Sequence, residues 1–183
     1  MAKPVNVVFS VPHASTETPA GHAGSYAIAT SLQEKLGGIV LAPRADGKFI
    51  PRTGKDDYNR RTTPWEELKT TLDEHPNAKL IDVHTYGDSR IPRQWEGKIK
   101  NLSSKLPIMI VMTLEGQDQL YKTFFQDYPR IAGSRDNRNV GLAPERAVLL
   151  EFNARAHEHD YTKDFNAVVE TLKHFIDPLA LRY

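Results

Sequence analysis

Two histidines stand where short apolar runs stop. His13 closes Val7-Val8-Phe9-Ser10-Val11-Pro12-His13, and His84 closes Leu80-Ile81-Asp82-Val83-His84. Glu17 lies four residues beyond His13, and a third apolar run, Ala147-Val148-Leu149-Leu150-Glu151, ends on a carboxylate. Imidazole and carboxylate are usual zinc ligands, and a site with three protein ligands keeps a position for water. His13, Glu17 and His84 would supply such a set. Glu151 would be the spare carboxylate that takes a proton from water and passes it to a leaving amine. That is the inventory of a zinc hydrolase.

Each of these residues also admits a plainer role. His13 and Glu17 fit a strand-end imidazole and an unrelated surface acid. His84 fits a buried histidine capped by Asp82, and Glu151 fits an ion-pair partner for an arginine. Alternation puts Asp82 on the same strand face as His84, where it would orient the ring or pair with an arginine. Two donor-rich segments, Arg52-Thr53-Gly54-Lys55-Asp56-Asp57-Tyr58-Asn59-Arg60-Arg61 and Ser134-Arg135-Asp136-Asn137-Arg138, add cations. Arginine there can grip a carboxylate with two parallel hydrogen bonds or stabilise an oxyanion, although charged loops are commonly just solvated. The tract His157-Glu158-His159-Asp160 looks metal-binding, but its adjacent spacing reads better as a solvated turn before a helix. Ser10 and Ser15 flank His13 without any G-x-S-x-G elbow, and no H-E-x-x-H helix occurs.

The elements that must hold these residues follow from periodicity. Runs rich in β-branched residues, bounded by Gly or Pro, predict strands at about 5–11, 38–43, 78–84, 107–113 and 146–152. Helices are expected over 25–36, stopped by Gly37-Gly38, over 64–74, where Pro64 opens the first turn, and over 115–127 and 162–176. The last carries Phe165, Val168, Val169, Leu172 and Phe175 on one stripe. Strands alternating with helices predict an α/β fold with a mostly parallel sheet. The runs Val5 to Val11 and Ile108 to Met112 are apolar on both faces, as buried parallel strands are. Open sheets of this kind bind ligands at the carboxyl ends of their strands, where His13, His84 and Glu151 all fall.

The chain has 183 residues, which predicts one domain spanning 1–183. A net charge of +1 with scattered Lys and Arg argues against nucleic acid and anionic membrane as partners. No apolar run approaches the roughly 20 residues of a membrane span. With no cysteine in the chain, thiolate nucleophiles, disulfides and Cys-rich zinc sites are excluded. The start Met1-Ala2-Lys3-Pro4 runs straight into a strand-like segment, so no signal peptide and a cytoplasmic location are expected.

Several motifs together resemble the zinc carboxypeptidase/aspartoacylase superfamily, closest to its N-formylglutamate amidohydrolase branch. Val11-Pro12-His13-Ala14-Ser15-Thr16-Glu17 resembles the opening Pro-His segment of that branch, with Glu17 one residue later than in the superfamily's H-x-x-E. Ile81-Asp82-Val83-His84-Thr85, followed by Pro92-Arg93-Gln94-Trp95-Glu96-Gly97, resembles its Asp-x-His-Ser segment and the Pro-Arg stretch after it. Asp57-Tyr58-Asn59-Arg60 is similar to the superfamily's Asp-Leu-Asn-Arg motif. The resemblance implies a single-domain three-layer sandwich of zinc carboxypeptidase type, with a mixed, mostly parallel sheet. It implies that His13, Glu17 and His84 bind Zn2+ and that Glu151 is the general base and acid. Arg52 would polarise the scissile carbonyl, Asn59 and Arg60 would hold a substrate carboxylate, and Arg135 and Arg138 would match a further substrate-binding segment. The expected activity is hydrolysis of the amide bond of an N-formyl or N-acyl amino acid, or of a similar small carboxylate-bearing amide. A peptidase acting on a peptide or cell-wall carboxyl end uses the same machinery, and a non-catalytic binding domain could keep the same fold.

Overall fold

The computed structural model describes residues 4–12, 21–42, 44–45, 48–49, 63–87, 90–100, 106–133 and 139–179. In chain order the elements are β1 (Val7–Ser10), α1 (Gly21–Leu36), β2 (Ile39–Leu41), β3 (Arg44–Ala45), β4 (Lys48–Phe49), α2 (Thr63–Glu74), β5 (Lys79–Tyr86), β6 (Met109–Thr113), α3 (Asp118–Phe124), β7 (Arg130–Ala132), β8 (Ala147–Asn153) and α4 (Thr162–Ile176). Six strands form one sheet in the order β2-β1-β5-β8-β6-β7, and β3 and β4 pair separately as a small antiparallel ribbon. The strands β2, β1, β5 and β8 run parallel. The strand β6 is antiparallel to β8 and parallel to β7. The sheet is therefore mixed and mostly parallel, as expected, but β6, whose both-face apolar run is read as parallel, pairs antiparallel with β8 and parallel with β7. Burial on two faces has the same signature in either direction.

Side-chain alternation divides the strands between two cores. Val7, Phe9, Ile81, Val83, Val148, Leu150 and Phe152 face one way, onto Ile28 and Leu32 of α1, Phe125 at the end of α3, and the stripe Phe165, Val168, Val169, Leu172 and Phe175 of α4. Val8, Leu80, Ala147 and Leu149 face the other way, onto Leu68 and Leu72 of α2 and Val140. Helices thus cover both faces of one sheet, and the chain is a single-domain three-layer α/β sandwich.

The turn from α1 to β2 needs both of its glycines. Gly37, at φ 73°, ends the helix in the left-handed region, its N–H donating to Gln33 O at 2.8 Å. Gly38, at φ 92°, lies so close to β1 that a Cβ there would come within 2.3 Å of Val7 O. No side chain fits that space, so the pair sets β2 beside β1.

Candidate active site

The second face of the sheet carries the polar residues. Along β5, Asp82 and His84 alternate with the core residues Ile81 and Val83. Along β8, Glu151 and Asn153 alternate with Leu150 and Phe152. In the parallel register His84 pairs with Glu151, Tyr86 pairs with Asn153, and Ser10 of β1 pairs with Asp82. Both central strands continue past the expected ends, to Tyr86 and Asn153, so His84 and Glu151 sit just inside the carboxyl edge of the sheet. They retain only 9% and 8% of their surface, which makes their charge states a matter of local partners and not of bulk water.

Asp82 is the fixed charge of the cluster. Its Oδ1 accepts the Ser10 hydroxyl and the Asn139 side-chain N–H at 3.2 Å, and its Oδ2 lies 3.1 Å from His84 Nε2. Burial pushes the Asp82 carboxyl upward, but the attraction and hydrogen bond of His84, with the Ser10 and Asn139 hydrogen bonds, bring it below its ordinary value. An ionised Asp82 accepts a proton-bearing nitrogen, so His84 Nε2 carries a hydrogen toward it. His84 Nδ1 lies on the side of Glu151, 3.9 Å from its Oε1. Glu151 is pushed up to about 7 by burial, with His84 drawing it down and Asp82 raising it. A carboxyl there can both accept and release a proton near neutrality.

Of the residues expected to act, the structure brings His84 and Glu151 together and places Asp82 behind the histidine. His13, Glu17, Arg52, Asn59, Arg60, Arg135 and Arg138 lie outside the described residues. Among the described residues no three His, Asp or Glu side chains group so as to hold a metal ion. The described half of the site does fit a His-bound cation in its chemistry: a carboxylate grips the far imidazole nitrogen and orients the ring, the usual support for a ligating histidine. His84 Nδ1 would be the ligating atom.

The tract around His157 is the solvated turn that its spacing predicts. His157 and His159 are exposed, and Glu158 pairs with Arg155 at 2.7 Å. Ser10 is no nucleophile in this arrangement, being fully buried and committed to Asp82. Its register with Asp82 leaves no trace in the local sequence, and neither does the role of Asn139, which reaches Asp82 from a 3-10 turn 57 residues away in the chain. The site face runs on to Tyr86, the last residue of β5, whose hydroxyl donates to Pro107 O and whose ring meets Trp95 edge-on at 6.1 Å. A groove of about 550 Å³ lies elsewhere, beside Lys79 and Glu145 at the amino ends of β5 and β8, away from this chemistry.

No family model and no curated protein matches the chain. Among solved structures, the crystal structure of gene product Atu2144 from Agrobacterium tumefaciens is similar, with a TM-score of 0.57 at 11% identity, covering 97% of this chain and 92% of that one. The likeness extends over nearly the whole of both chains and is one of fold. No helix among the described residues is long and apolar enough to cross a membrane.

Proposed function

We propose that the chain is a zinc-dependent amidohydrolase of the N-formylglutamate amidohydrolase type, cleaving the amide bond of an N-formyl or N-acyl amino acid or a similar small carboxylate-bearing amide. The observation that carries this reading is the pairing of His84 with Glu151 on adjacent parallel strands, with Asp82 bound to the far side of the imidazole. His84, with His13 and Glu17, would hold the metal. Zinc, when bound, supplies a Lewis acid that acidifies water and polarises a carbonyl.

The chain's own groups do the rest. Asp82 holds the His84 ring in one tautomer and one orientation, supported by Ser10 and Asn139. Glu151 would accept the proton of the attacking water and deliver it to the leaving nitrogen. Arg52 would stabilise the developing oxyanion, and Asn59, Arg60, Arg135 and Arg138 would select a substrate with a free carboxylate. The partner is a small molecule or short peptide, acted on in the cytoplasm without nucleic acid or membrane.

A panel of N-formyl and N-acetyl amino acids, assayed for released amino acid, tests the reading. Glu151→Gln keeps the shape of the side chain and removes its proton chemistry. Turnover is expected to fall by at least about 100-fold, with one zinc per chain retained. Turnover within a few-fold of wild type in Glu151→Gln would refute the mechanism.

A further inference from the structure

The groove of about 550 Å³ beside Lys79 and Glu145 takes no part in the chemistry above. Its floor is the margin of the core between α3 and α4. Leu120 and Phe124 of α3 are half-buried there, and the Phe124 ring meets the buried ring of Phe175 at 5.4 Å. Hydrogen bonds fix the wall: Gln117 accepts the Leu114 N–H and donates to Pro144 O and Ala147 O, tying the turn into α3 to the segment entering β8. A concave, preformed space with an apolar floor and a few charged groups at its margin is the usual form of a small-molecule site.

Three charged side chains border the groove, and they do not neutralise one another. Lys79 is half-buried, with its ammonium 5.2 Å from the centre of the Phe175 ring, and it forms no ion pair among the described residues. Glu115 likewise forms none. Glu145 reaches only Arg146, at 4.0 Å, and that guanidinium is turned to Ala78 O and Leu72 O. The chemistry of the ligand follows by exclusion. A simple anion would meet two carboxylates, and a simple cation would meet the lysine. A compact molecule that carries both charges beside an apolar arm complements all three groups and the floor.

We propose that this groove binds a free amino acid with an aromatic or large aliphatic side chain. Its carboxylate would sit at Lys79, its ammonium at Glu115 and Glu145, and its side chain on Leu120 and Phe124. The site is separate from the hydrolase reading, because it lies at the amino ends of β5 and β8 and shares no residue with the cluster around Glu151.

The test reads place and affinity together. The 15N-labelled full chain is titrated with L-phenylalanine, with phenethylamine, which lacks the carboxylate, and with hydrocinnamate, which lacks the ammonium. L-Phenylalanine is expected to give saturable shifts of the Gly116, Gln119 and Thr123 backbone amides, which line the groove. The other two compounds are expected to bind at least about tenfold more weakly. Lys79→Met keeps an apolar stem over Phe175 and removes the charge. It is expected to weaken L-phenylalanine about tenfold and to bind phenethylamine no more weakly than wild type does. Equal binding of all three compounds would reduce the groove to an apolar patch and overturn the proposal, as would the lack of any saturable shift with L-phenylalanine. Shifts confined to His84 and Glu151 would overturn it too, since the amino acid would then occupy the reaction site as a product. If Lys79→Met does not fold, the three compounds on the wild type decide alone. Failure of the hydrolase reading shows in the substrate panel and leaves these shifts unaffected.

Discussion

The sharpest consequence of the Glu151 environment is a pH dependence of stability that one substitution should erase. Burial holds this carboxyl at about 7 against an ordinary 4.5, so between those values the folded chain keeps a proton that the unfolded chain has released. Stability from this group is therefore full below the unfolded value and is lost as pH rises through the folded one. At 1.36 kcal/mol per pH unit the total is about 3 kcal/mol, an upper bound because interiors relax around a new charge. Asp82 does not compensate in this window. Its carboxyl is held below the ordinary 3.8, so its stabilisation is present above that value and is lost only as pH falls through the folded pKa.

Glu151→Gln keeps the side chain's shape and removes the titration. Urea unfolding of both proteins, with chelator present so that no cation competes for the site, gives the difference in unfolding free energy at each pH. That difference, variant minus wild type, is expected to grow in the variant's favour by about 2–3 kcal/mol as pH rises through the window. Parallel curves would mean that Glu151 titrates as an ordinary exposed acid, and the burial argument for its proton chemistry would fail.

Two further outcomes follow from the same geometry. Asp82→Asn removes the anion behind His84, and zinc affinity measured against a chromophoric chelator is expected to drop about 10–100-fold; unchanged affinity would separate Asp82 from any metal site. Phe175→Ala empties a fully buried position of α4 against Phe125. It is expected to cost about 3–5 kcal/mol in chemical denaturation, with zinc content untouched.

The sequence and the structure agree best where local pattern determines local form. The α4 stripe and the two central strands lie where their periodicity places them, because burial of a 3.6-residue or two-residue repeat leaves few alternatives. The edge strand β7 has no such signature, because it is three residues long and opens on Arg130, whose side chain is spent on Thr113 and Asp118. The expected helix over 115–127 shrinks to Asp118–Phe124. Gln117 instead accepts the Leu114 N–H and donates to Pro144 O and Ala147 O, tying the start of that segment to β8.

The candidate site divides along the same line. Alternation along β5 is enough to put Asp82 beside His84, since both lie on one strand. The meeting of His84 with Glu151 depends on β5 and β8 being neighbours in register, although 67 residues separate the two in the chain. Ser10 shows the limit most clearly. Its closeness to His13 in sequence suggests a nucleophile, while its register partner across the sheet is Asp82. Residue type and spacing nominate chemistry, and strand order decides which nominees meet.

The central claim is that His84 is a metal ligand in a zinc hydrolase, and metal content tests it most directly. The full chain, loaded with zinc and freed of excess by buffer exchange, is analysed by plasma mass spectrometry beside His84→Ala. We expect about one zinc per chain for the wild type and a small fraction of that for the variant. No zinc in the wild type, or equal zinc in both proteins, would contradict the account.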